Sequence, residues 1–242
     1  MTMLPQPPPD APAPPPSDAA ILSQKKWNWL VWVGIVSILI VLMGFMAPLT
    51  IRSRKKPDQT EAVSNARQIG LALSEFDSKY GKYPDASTIS AVAKDAATDS
   101  NLSKLSLGTK SSNDYFRQLL AGGFTPSESM FYAKILGSKK PDNNIKGAEA
   151  LKKGECGFAY LAGLSSEGNP SRPLIITPLI PGTDRFDPKR FDGKAVILRM
   201  DNSVISMNIN SSGHVTVDGK NLLDPTNPVW GKGDKFVIVW PE

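Results

Sequence analysis

The residues of this 242-residue chain that could do chemistry are few, and most of them lie late in it. Asp184, Asp187 and Asp192 are interleaved with Arg185, Lys189, Arg190 and Lys194. Two such carboxylates could act as acid and base, but alternating charges between turn residues are usually a solvated loop. Asp218, Asn221 and Asp224, with Asn227 close behind, set side-chain oxygens on a turn-rich stretch. Their spacing matches no EF-hand, and a calcium ion needs about six or more oxygens. Asp, Asn and Gly populate ordinary turns readily, so turn chemistry is the favoured reading and a cation the sharper alternative.

His214 is the only histidine, so one Ser–His–Asp set is arithmetically open, and nothing around it supports one. It reads instead as the start of a strand, HVTV. One Cys and one His in separate runs are a poor start for a zinc site. Cys156, beside Gly157 and Phe158, reads as a small buried apolar side chain. Gly122 and Gly123 follow a helical run instead of leading into one, so no phosphate-binding loop is present. Trp230 and Trp240 could stack on a sugar or peptide, but tryptophans bracketing a strand more often close a core. No set of groups meets the geometric requirements of a catalytic site, and the chain is read as a non-enzyme.

The elements that must position these residues come in two kinds. From residue 157 onward, short β-rich runs recur between Gly, Pro, Asp and Asn: GFAYL, PLIIT, AVILR, VISMN, HVTV and FVIVW. The runs 195–199 and 204–208 flank Met200–Ser203 as a hairpin. Ahead of them the pattern is helical. Ala62, Ala66, Ile69, Leu73, Phe76 and Tyr80 alternate at spacings of four and three, which puts all six on one helix stripe. Asp58 with Glu61 reads as a capping box after Pro57, and Gly81 with the Tyr83–Pro84 pair supplies the stop. Short helices are expected near 85–94 and over 113–120. Helix first and antiparallel strands afterwards is an α+β order, an amphipathic helix packed on a small antiparallel sheet.

Upstream lies a different kind of segment. Residues 27–51, WNWLVWVGIVSILIVLMGFMAPLTI, carry no charged side chain and suffice to cross a hydrocarbon core of about 30 Å. Trp27, Trp29 and Trp32 sit where indoles prefer the membrane interface, and Arg52, Arg54, Lys55 and Lys56 follow the run. The expected organisation is a disordered Pro-rich tail (1–24), a single transmembrane helix (25–51), a basic linker (52–57) and an α+β domain (58–242). Eight of the 21 prolines lie between Pro5 and Pro16, which accounts for the tail.

The net charge of +5 sits mostly beside the apolar run. Residues 1–56 hold six bases against Asp10 and Asp18, and the rest of the chain is nearly balanced. The basic charge therefore faces membrane lipid, and nucleic acid is excluded as a partner. Counted by the positive-inside rule, the charges flanking the span would leave the large domain in the cytoplasm.

The stretch 65–73, NARQIGLAL, with Phe76 and YGKYP at 80–84, resembles the closing half of the helix in type IV pilins and type II secretion pseudopilins, notably pilin-like proteins of planctomycete and verrucomicrobia type. A second match is GKAVILRMDNSV at 193–204, similar to a strand–turn–strand late in their heads. The resemblance implies a pilin-like head on a bacterial inner-membrane anchor, with the N-terminus cytoplasmic and the C-terminal domain periplasmic. It implies a structural role in protein secretion or an envelope filament, through contact with other pilin-like or secretion-system subunits or as a homo-oligomer. Major pseudopilins bind calcium in a C-terminal loop, which would correspond to Asp218, Asn221 and Asp224; no other cofactor is implied. The chain departs from the family in having no acidic residue between Asp18 and Asp58 and no Gly-Phe-Thr cleavage start before the span.

Overall fold

The computed structural model describes residues 18–100, 102–231 and 235–242, and side chains at 29, 31–42 and from 56 onward. The chain divides into two units, Met1–Ile51 and Arg52–Glu242. Most of the expected Pro-rich tail, and the side chains of Trp27, Arg52, Arg54 and Lys55, lie outside the described residues. In the first unit the backbone is helical from Asp18. Trp29 and Trp32 are exposed, as are Ile38 and Ile40 among the apolar side chains up to Leu42. Among the described residues, no helix is long and apolar enough to cross a membrane.

The second unit is α+β. Helix α1 (Asp18–Tyr80) enters it and is followed by α2 (Ile89–Ala96) and α3 (Ser112–Ala121). Pro57 and Asp58 lie inside α1, so the expected helix start at Asp58 is corrected, and the 52–57 segment has helical backbone. A proline inside a helix removes one backbone hydrogen bond and crowds the carbonyl four residues before it, and the buried stripe that starts at Ala62 packs the helix just beyond. Asp58, free of capping duty, pairs with Lys134 at 3.1 Å. The stop falls where the sequence puts it: Gly81, at φ 75°, donates its N–H to Asp77 O. Helix α3 opens on a reciprocal capping box between Ser111 and Asp114, which satisfies two otherwise orphaned donors.

Strands β1 (Ala159–Ala162), β2 (Pro173–Thr177), β3 (Lys194–Arg199), β4 (Val204–Asn208) and β7 (Val237–Val239) form an antiparallel sheet in the order β4-β3-β2-β1-β7. The HVTV run contributes only β5 (Thr216–Val217), paired with β6 (Lys220–Asn221) in a separate hairpin.

Alternation along a strand sends neighbouring side chains to opposite faces. On one face Leu198 of β3 meets Gly70 of α1, and Ser206 of β4 accepts from Gln59 at 2.8 Å. On the other face Ile197, Ile205 and Met207 look toward Val217, Leu222 and Val229. Both faces are covered, so the central strands are continuous apolar runs with no polar alternation.

The α1 stripe is the first layer of the core. Ala62, Ala66, Ile69, Leu73 and Phe76 are fully buried, while Tyr80 is half-buried and reaches out to Asp95. Phe76 packs against Tyr80 and Phe124, and Phe116 of α3 stacks on Phe131 with ring centres 5.0 Å apart. At about 1.5–3 kcal/mol per fully buried large apolar side chain, the stripe is a principal source of stability.

Candidate functional site

The predicted oxygen-rich loop is a set of linked turns. Asn221 accepts the Leu223 N–H at 3.1 Å and donates through Nδ2 to Asp184 Oδ2 at 2.9 Å. Asp224 Oδ1 accepts the Thr226 N–H at 2.8 Å, and these hydrogen bonds hold its carboxyl below the usual carboxylate range. Asp218 takes a left-handed backbone at φ 51°. Asn227 ties the loop together by donating to the carbonyls of Val217, Lys220 and Asn221. One oxygen each of Asn221 and Asp224 already serves the backbone, and Asp218 is exposed.

Trp230 is fully buried, stacked on Phe236 at 3.9 Å and donating to Leu222 O. Its role is closure of the core. Beside it, between the sheet and the loop, lies a cavity of about 260 Å³ lined by Arg199, Asp218 and the apolar side chains named above. A more apolar groove of about 420 Å³ runs between Ile135–Leu136 and Leu179–Pro181.

The fold brings together one constellation that the sequence did not favour. Ser212 Oγ lies 3.2 Å from His214 Nδ1, and His214 Nε2 lies 3.5 Å from Asp184 Oδ2. The Ser212 hydroxyl donates to Asn210 Oδ1 at 2.7 Å, so its proton points away from the imidazole. Asn210 also accepts the N–H groups of Ser212 and His214, which makes the group a surface turn. Neither Ser212 nor His214 lines either of the two cavities described above.

Cys156 is buried, and burial pushes its thiol up to about 11, so it is not a reactive thiolate. The Asp184–Lys194 charges remain a loop: Asp187 accepts the Lys189 N–H and faces Arg190 at 3.5 Å.

A second carboxylate set forms in the segment between α3 and β1, which sequence reasoning assigned to no element. Oxygens of Glu128, Asp142 and Glu155 lie within 4.8 Å of one another. Glu128 and Glu155 are buried, and Asp142 is exposed. Glu128 Oε1 accepts the Leu151 N–H, while Oε2 is buried without a hydrogen-bond partner among the described residues. Burial, and then the nearby Glu155 and Asp142, raise the Glu128 carboxyl above its ordinary value. The three residues are spread over 27 positions with no repeating spacing, so no signal in the sequence could have gathered them.

The outward face of α1 in the second unit carries Ser64, Arg67, Gln68, Leu71, Glu75 and Ser78, all exposed, with Leu71 the only large apolar side chain among them. Asn65, at the margin of the buried stripe, donates to the carbonyls of Ser129 and Tyr132 and fastens the helix to the middle of the chain. Comparison with protein-family models, with curated proteins and with solved structures finds no match.

Proposed function

We propose that the chain is a membrane-anchored, pilin-like structural component of a secretion or envelope filament system, acting by protein–protein contact. The apolar segment beginning at Trp27 crosses the bacterial inner membrane once, and the domain that begins near Asp58 is presented in the periplasm. The observation that carries this reading is the pairing of two apolar patterns in α1. Its 62–76 stripe is fully buried in the second unit, whereas the described apolar side chains between Trp29 and Leu42 are exposed within the first. Large apolar side chains exposed along a helix call for lipid or a second apolar surface.

Contact is the chemistry that this reading assigns to the domain. Its cysteine is buried with a raised thiol, and its single histidine sits in a turn. A second reading, a membrane-tethered periplasmic module that takes a ligand or calcium through a cluster including Trp230, Asp218 and Asp224, loses its aromatic member, because Trp230 is buried.

Protease digestion of intact spheroplasts carrying a tag at Glu242 tests the placement. Loss of the tag from outside is expected; protection until lysis would put the domain in the cytoplasm, as the flanking charges alone would have it. Cross-linking in the membrane tests the contact, with oligomers or a cross-linked envelope subunit expected. A strictly monomeric pattern would count against a structural role.

A further inference from the structure

We propose that Glu128, Asp142 and Glu155 form a calcium site, distinct from the C-terminal turn loop, that ties the segment between α3 and β1 together. A backbone N–H fixes one oxygen of each carboxylate. Leu151 donates to Glu128, Asn144 to Asp142 at 2.9 Å, and Lys152 to Glu155 at 2.7 Å. Held in this way, the three groups bring oxygens within 4.8 Å of one another. Two oxygens bound to one calcium at about 2.4 Å can be no more than about 4.8 Å apart, and all three pairs meet that limit, so a small closing of the side chains would let one ion reach all three.

The observation that points to an ion is Glu128 Oε2. Glu128 is fully buried, and this oxygen has no hydrogen-bond partner among the described residues. A buried orphan acceptor beside two further carboxylates is costly unless a cation meets it. Lys152 does not fill that place. Its ammonium reaches Asp142 Oδ2 at 3.0 Å and Glu149, with no contact to Glu128 or Glu155 among the described ion pairs. With Glu149 as its other partner, Lys152 can yield Asp142 to the ion. Asn143, whose side chain accepts the Glu128 N–H at 2.9 Å, holds the Glu128 backbone in place. The ligands are all hard oxygens on irregular backbone, which suits calcium and its tolerance of uneven geometry better than the strict octahedron of magnesium, and water would complete the shell.

The test uses the full chain in detergent, stripped with EDTA and titrated with calcium chloride or magnesium chloride. Calorimetry is expected to give one calcium per chain. At a hundred times its Kd, calcium should raise the melting temperature by about 5 °C or more, and magnesium by less. Glu128→Gln, Glu155→Gln and Asp142→Asn should each weaken calcium binding at least tenfold. Asp142 is exposed, so its variant reports on the site even where a buried substitution fails to fold. The double variant Asp218→Asn/Asp224→Asn should keep the wild-type response. The proposal is overturned by a wild-type chain that does not respond to calcium, by an equal or larger magnesium response, or by calcium binding lost in the C-terminal double variant and kept in the other three. Because the titration is done in detergent on the isolated chain, its failure leaves the membrane placement and the assembly role untouched.

Discussion

A Cβ placed on Gly70 of α1 would fall 2.5 Å from Asn202 Oδ1 in the β3–β4 turn and 2.9 Å from Leu198 of β3. Helix and sheet touch here through backbone on one side, and the same asparagine donates to Ser74 Oγ one helical turn further on at 2.8 Å. Asn202 can do this because it occupies a left-handed position, φ 62°, in the hairpin turn.

Gly70→Val should therefore destabilise the domain by about 2 kcal/mol or more, the cost of overpacking added to a stiff β-branched side chain. At the neighbouring Leu71, which is exposed, Leu71→Val should change stability by no more than about 0.5 kcal/mol. Denaturant midpoints of the two variants measure the contrast, and equal effects would mean that α1 does not approach the sheet at Gly70.

The buried stripe makes a graded prediction. Leu73→Ala and Ile69→Ala should each cost about 2–5 kcal/mol and Phe76→Ala about 3–5 kcal/mol, since each leaves a cavity in a filled core. Tyr80→Phe removes only a half-exposed hydroxyl contact with Asp95 and should cost less than any of them. Urea unfolding of the four variants gives the order directly.

Arg172 is fully buried and donates through Nε to Asn169 O at 3.2 Å and through Nη2 to Ser165 O at 3.0 Å and to Glu167 O. A guanidinium organises the 165–169 loop by its fork of donors, which an ammonium cannot reproduce. Arg172→Lys should thus lose most of what Arg172→Ala loses, about 3 kcal/mol. Limited proteolysis should show new cleavage within 165–169 in both variants; wild-type resistance in the lysine variant would show that charge alone suffices.

Glu128 gives a pH dependence with a definite sign. Its carboxyl is raised in the folded chain, so between the unfolded and folded values the folded state holds the extra proton. Stability from this group is full below the unfolded value and is lost as pH rises through the folded one. In EDTA, the melting temperature of Glu128→Gln should therefore gain on that of wild type as pH rises from about 4 toward neutrality. A difference that stays constant with pH would mean that Glu128 is not desolvated.

Periodicity alone determined a good deal of this protein. The α1 stripe, its stop at Gly81, a helix over 113–120 that α3 extends by one residue at each end, and strands β2, β3 and β4 follow from spacing and from turn residues, because local sterics and the burial of one face act within a few residues. The uncharged run from Trp27 and the basic residues after it are likewise plain in the letters. What needed the tertiary structure depends on groups far apart in the chain. Helix α1 continues through Pro57, and Asp58, which the local pattern reads as its N-cap, pairs instead with Lys134 from a distant part of the chain. Trp230 closes the core as its place beside a strand suggests, but that the turn loop lies over the second face of the sheet, leaving the HVTV run a two-residue strand, is a matter of tertiary structure. Glu128, Asp142 and Glu155 are the clearest case. A carboxylate's neighbours across 14 or 13 residues of irregular chain are set by where that chain is pinned, here by the N–H groups of Leu151, Asn144 and Lys152, and no periodicity encodes such a closure.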